Sequence, residues 1–118
     1  MGERRKYKRK LIKLDVEYDM SSDQRWLESQ SRDIGAGGIC LITKDAIEIG
    51  KSFDMKFYLP DQEKPVKVIG KVMWNEKIDN EGSAAFYNGI QFIRINKTDK
   101  ELIMKFVDSA TFERKKTK

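Results

Sequence analysis

Leu11-Ile12-Lys13-Leu14-Asp15-Val16-Glu17-Tyr18-Asp19-Met20 sets Ile12, Leu14, Val16, Tyr18 and Met20 at alternate positions, with Lys13, Asp15, Glu17 and Asp19 between them. Successive side chains of a strand point to opposite faces, so a period of two reads as a strand with one dry and one wet face. Ser21-Ser22-Asp23 is a turn signal, and residues 26–33 read as a more polar return strand.

Working outward, the same grammar recurs. Ile39-Cys40-Leu41-Ile42 is an apolar run, and Phe53, Met55, Phe57 and Leu59 alternate over residues 52–59. Pro60 and Pro65 bracket a polar connection. Val66, Val68, Val72 and Trp74 then share one side of residues 66–74, and Gly89-Ile90-Gln91-Phe92-Ile93 closes the series. Thr98-Asp99-Lys100-Glu101 has the spacing of a capping box, which satisfies free N–H groups at a helix start. Leu102, Ile103, Phe106, Val107 and Ala110 fall on one helical stripe after it. The expected fold is all-β with a C-terminal helix: a six-stranded antiparallel barrel, one opening or edge covered by the helix. The expected division is a flexible basic arm over residues 1–10, the barrel and helix over 11–112, and a basic tail over 113–118.

The 118 residues carry 24 Lys and Arg against 19 Asp and Glu, a net charge of +5. Six of the cations lie between Arg4 and Lys10 and four between Arg114 and Lys118, segments with no acid, leaving 14 against 19 acids in the rest of the sequence. The body is acidic and the ends are basic. A duplex-binding protein spreads Lys and Arg over a face to follow many phosphates; a local clamp suits a small anion better, and no DNA partner is expected. No apolar run approaches the roughly 18 residues of a membrane span. A single cysteine makes no internal disulfide, so a cytoplasmic location is expected.

Catalytic constellations are missing. There is no histidine, no Gly-x-x-x-x-Gly-Lys loop, no Gly-x-Ser-x-Gly elbow and no cysteine pair. Cys40, in an apolar strand, reads as a small core residue rather than a nucleophile. Asp79 and Glu81 read as solvated groups of a polar loop. The expectation is a binding protein rather than an enzyme, with neither metal nor cofactor.

Two segments carry binding chemistry. Arg4, Arg5 and Arg9 surround Tyr7 just ahead of the first strand; an arginine fork matches phosphate oxygens or the O6/N7 edge of guanine. The plain alternative is a basic leader that aids solubility. Arg32-Asp33-Ile34-Gly35-Ala36-Gly37-Gly38-Ile39 has three glycines in four positions, which permit positive φ and close approach of a ligand to backbone N–H groups. Asp33 offers an acceptor for the N1–H and N2–H₂ edge of guanine. The plain alternative here is a strand-connecting turn capped by aspartate.

Taken together, in order and with the barrel pattern, Arg5-Lys6-Tyr7-Lys8-Arg9 and Asp33-Ile34-Gly35-Ala36-Gly37-Gly38 resemble the PilZ domain family. That family's signature is Arg-x-x-x-Arg followed by Asp/Asn-x-Ser-x-x-Gly. Gly70-Lys71-Val72-Met73-Trp74 and Gly89-Ile90-Gln91-Phe92 resemble its late strands, and the resemblance runs from about Glu3 to Ala110.

The resemblance implies a PilZ-like split barrel that binds the bacterial second messenger cyclic di-GMP. By position, Arg5 and Arg9 are expected on guanine and phosphate, and Asp33 and Gly38 on the ligand's other side. Arg4 is expected to help hold a second, stacked ligand molecule. Trp74 falls where the family places an aromatic beside the ligand; the alternative is a core or rim tryptophan. Gly35 stands at the serine position, and a lost hydrogen bond to a charged group costs about 1.5–3 kcal/mol. Ligand would fold the arm over the barrel and signal to a protein partner in flagellar, exopolysaccharide or secretion machinery. Two alternatives stay open: a PilZ-like adaptor that binds no nucleotide, and a small barrel that binds single-stranded nucleic acid.

Overall fold

Leu14, Val16 and Tyr18 are buried, as their alternation requires, but the strand that carries them is split. This computed structural model describes residues 7–20 and 25–116, the side chains of residue 80 and of residues 109–116 excepted. β1 covers Arg9–Leu11 and β2 covers Asp15–Asp19. Both pair antiparallel with one edge of β3 (Trp26–Gly35). Between them, residues 12–14 pass an irregularity in β3 that Ser31 bridges. Its hydroxyl accepts from the Leu14 N–H at 2.9 Å and donates to the Ile12 carbonyl at 2.6 Å. The expected single strand is therefore two short strands whose junction is pinned by a buried serine.

The chain continues through β4 (Gly38–Thr43), β5 (Ser52–Phe57), β6 (Val66–Asn80), β7 (Ser83–Arg94) and α1 (Lys97–Lys116). Antiparallel pairing runs β3-β2-β5-β6-β7-β4 and returns from β4 to β3. The expected six-stranded antiparallel barrel with its C-terminal helix is what forms. Closure removes the unpaired edges that would otherwise recruit other strands. β1 is a short addition on the edge of β3, so Arg9 and Lys10, assigned to the arm from sequence, belong to the sheet.

β6 and β7 extend well past the expected 66–74 and 89–93. Their outer halves alternate weakly because no core lies beneath them. The turn itself carries the signal: Glu81 and Gly82 have φ of 54° and 85°, the twist that matches a two-residue hairpin. Asp79, expected in a loop, instead pairs with Ala84 in the ladder. Its carboxylate accepts the Gly82 N–H at 3.1 Å and so secures the turn.

Ile34, Ile39, Leu41, Met55 and Phe57 fill the interior, each contributing about 1.5–3 kcal/mol by burial. The Phe57 and Phe92 rings stack with centroids 6.2 Å apart. Ile103 and Val107 of α1 join this core, and Leu102 and Phe106 pack half-buried beside it. The helix starts earlier than the Thr98 capping box suggests. Asn96 Oδ1 accepts the Asp99 N–H at 2.8 Å, and Asn96 Nδ2 donates to Asp99 Oδ2 at 3.2 Å. Asparagine is the stronger cap, and Asp99 favours the positive end of the helix dipole. The helical backbone runs on to Lys116, into the segment expected as a basic tail.

Candidate ligand cleft

Asp33 pairs with Cys40, Cys40 with Gly89, and Gly89 with Trp74. Directly opposed residues in a sheet project to the same face, so these four make a row across β3, β4, β7 and β6. The neighbouring row is Arg9, Gly35, Gly38, Gln91 and Lys71. Because Ile34, Ile39 and Ile90, the intervening residues, point into the core, both rows face outward. An open cleft of about 350 Å³ lies over them, walled by Arg9, Arg32, Asp33, Met73 and Trp74 and floored by Cys40.

Two bulges shape it. Register slips between Ser31 and Asp33 on β3, and between Val72 and Trp74 on β6. The extra residues are Arg32 and Met73. A bulge re-aims side chains that regular alternation would separate, so Arg32 joins Asp33 in the cleft and Met73 joins Trp74 there.

Asp33 is the electrostatic centre of the cleft. It is only 4% exposed, and a carboxylate in that position requires partners. Arg9 supplies Nε at 2.7 Å and Nη2 at 2.5 Å, both on Oδ1. Arg32 supplies Nε at 2.9 Å on Oδ2. The Arg32 guanidinium also lies 4.7 Å from the centre of the Tyr87 ring. Burial pulls the Arg32 pKa down, but the Asp33 charge and its hydrogen bonds to Asp33 and Tyr87 leave it above the ordinary arginine value. Burial pushes the Cys40 thiol up, and the neighbouring Asp33 charge pushes it further. Tyr18, away from this cleft, is raised by burial.

The glycines work differently from the sequence expectation. None of Gly35, Gly37 and Gly38 has a left-handed φ; among the described glycines only Gly50 and Gly82 do. They are small because the protein's own backbone and rings crowd them. A Cβ on Gly35 would sit 2.5 Å from the Lys8 carbonyl oxygen, and one on Gly38 would collide with that of Ile90. Gly37 lies 3.1 Å, on the same measure, from the ring of Tyr7. Gly89 is covered by the Trp74 indole, whose ring occupies the space of a Cβ. Trp74, 40% exposed, thus lies flat on β7 with one face free.

Of the residues singled out from sequence, Arg9, Asp33, Gly38 and Trp74 line the cleft, and Gly35 sits beneath Arg9, whose Cγ is 3.1 Å from where a Cβ would be. Arg4 and Arg5 lie outside the described residues. Cys40 was expected in the core, and it is buried, but on the outer face as the cleft floor. Arg32, Met73, Gly89 and Gln91 went unassigned. Only Gly89 left a trace in the sequence, as a glycine opening an apolar strand; bulges have no such signature. Among the described residues no helix is long and apolar enough to cross a membrane, and no three His, Cys, Asp or Glu side chains group as a metal site.

No curated protein matches the sequence. Solved structures do match the fold. MotI/DgrA, the inhibitor of motility of Bacillus subtilis, superposes with a TM-score of 0.79 and 20% identity, covering 95% of this chain and 53% of that one. The MrkH–c-di-GMP complex of K. pneumonia gives 0.79 and 18%, covering 99% and 57%. This chain therefore spans little more than half the length of either. The PilZ domain of YcgR from Escherichia coli, with c-di-GMP, gives 0.69 and 16%, covering 98% and 97%. Residues 3–109 match the PilZ domain model. With that match over most of its length and a six-stranded barrel to go with it, the chain belongs to the PilZ domain family.

Proposed function

We propose that this chain is a cyclic di-GMP receptor module without catalysis, and that ligand reshapes the segment around Arg4, Arg5 and Arg9 and so signals to a protein partner. The observation that carries the reading is the cleft itself: a guanidinium, a buried carboxylate and a free indole face within one outer-wall depression. A cyclic dinucleotide offers matching chemistry. Its phosphates suit the Arg9 fork, a guanine N1–H and N2–H₂ edge suits Asp33, and a base plane suits Trp74. Family membership and the c-di-GMP complexes of MrkH and YcgR support the same ligand. At about 350 Å³ the cleft is at the small end for ligand sites, which leaves room for Arg4 and Arg5 to meet the ligand's outer side.

The N-terminal segment is well placed to report on the ligand. Tyr7 lies 4.8 Å from Lys100 Nζ, and Lys8 Nζ lies 3.8 Å from Asp108 Oδ1, so the stretch that enters the cleft at Arg9 also touches α1. The Lys8–Asp108 pair is exposed, and such a pair is worth at most about 1 kcal/mol, weak enough for a ligand to rearrange. Titration calorimetry with cyclic di-GMP is the test. Saturable heat at tens of micromolar protein, lost in Arg9→Ala and retained in Lys115→Ala, is expected. Absence of heat would leave a nucleotide-free adaptor. Steeply salt-dependent binding to any oligonucleotide, with indifference to the cyclic dinucleotide, would indicate a single-strand binder.

A further inference from the structure

We propose that Arg32 is a positioning residue: it holds Asp33 paired and oriented when a ligand in the cleft draws on Arg9. This rests on the receptor reading above and adds a residue to it.

The geometry divides the labour. Asp33 has two oxygens, and each guanidinium takes one: Arg9 through Nε and Nη2 on Oδ1, Arg32 through Nε on Oδ2. Arg9 has thereby committed the side-on edge of its fork. A phosphate or guanine that takes that edge displaces Asp33, and an anion on the remaining edge competes with Asp33 for the same charge. Either way the hold of Arg9 on Oδ1 weakens. A carboxylate buried to 4% exposure and left without a counter-ion is costly.

Arg32 removes that cost because it is fixed independently of the ligand. The bulge between Ser31 and Asp33 sets its side chain beside the carboxylate, and the Tyr87 ring 4.7 Å away supports its guanidinium plane from β7. The side chain keeps 39% exposure against 19% for Arg9, so Arg32 is the outer and Arg9 the inner partner. With Arg32 in place, Asp33 stays aimed into the cleft, ready to accept from a guanine edge, while Arg9 turns to the phosphate. The same two contacts make the arginines redundant in the free protein and non-redundant in the complex.

That asymmetry gives the test. Wild type, Arg32→Gln, Arg9→Gln and the double variant are compared by thermal unfolding without ligand, and the first two by calorimetry with cyclic di-GMP. Each single variant is expected to unfold close to wild type, and the double variant far below the sum of the two shifts, because only it orphans Asp33. Arg32→Gln is expected to weaken cyclic di-GMP binding about tenfold, the effect of one charge-assisted hydrogen bond, with Arg32→Lys recovering part of it. Additive unfolding shifts overturn the proposal. So does an Arg32→Gln protein that unfolds early but binds as wild type, which marks a purely structural arginine. If wild type binds and Arg32→Gln binds equally, the hand-over fails while the receptor reading stands. If wild type gives no heat, the receptor reading fails and the hand-over goes with it.

Discussion

Arg9 sets two donors, Nε at 2.7 Å and Nη2 at 2.5 Å, on one oxygen of Asp33, and so ties the N-terminal strand to β3 in the cleft wall. Removing one member of a buried ion pair ordinarily costs about 3–5 kcal/mol, because the other is left charged and alone. Here Oδ2 keeps Arg32. Arg9→Gln is therefore expected to lose only about 1 kcal/mol in urea unfolding, the scale of one net hydrogen bond, while its cyclic di-GMP titration falls by more than tenfold. A loss near 4 kcal/mol would mean that Arg32 does not compensate.

Gly35 invites a substitution that restores the family's serine. The Lys8 carbonyl oxygen, 2.5 Å from the Cβ such a serine would bring, argues against a gain. Gly35→Ser is expected to push β1 off β3, cost about 1–3 kcal/mol by overpacking, and lower ligand affinity by moving Arg9. Hydrogen exchange at Arg9–Leu11 should quicken. Tighter binding in the variant would show that the hydroxyl outweighs the displaced strand.

Gly89 is the seat of the Trp74 indole. Gly89→Val should lift that ring out of the cleft. In a Trp26→Phe background, where Trp74 is the sole indole of the sequence, its emission should shift to the red and quench more readily with iodide. Ligand affinity should drop at least as far as in Trp74→Ala. An unchanged spectrum would place the indole elsewhere.

Cys40 and Tyr18 both have raised pKa values, first through burial. A group that is a stronger acid unfolded than folded favours the unfolded state once pH exceeds its unfolded pKa. The stability they support is thus whole below about pH 8.5 and declines as pH rises, through Cys40 first and Tyr18 near pH 10. Urea midpoints measured from pH 7 to 10.5 should fall at the alkaline end, and Cys40→Ala should remove the earlier part of the fall. The native thiol should also resist iodoacetamide at pH 8, and more so with ligand over it.

Much of this protein was legible in its residues. Alternation at Leu14, Val16 and Tyr18, and again at Phe53, Met55 and Phe57, marks strands because burial on one face leaves a period of two. The stripe Ile103–Val107 marks the helix for the parallel reason, and motif and residue type pointed to Arg9, Asp33, Gly38 and Trp74, which the fold brings to one cleft. Periodicity is local, and local signals suffice where each residue's fate depends on its chain neighbours. What the chain alone left open is what distant segments do to one another. The bulges that turn Arg32 and Met73 into the cleft arise from register between strands. Cys40 is buried on the outer rather than the inner wall because Asp33 and Gly89 flank it there. Gly35 and Gly89 are glycines because Lys8 and Trp74 pass over them, not because the backbone bends. Sequence chose the strands and the charges; closure of the barrel decided which of them meet.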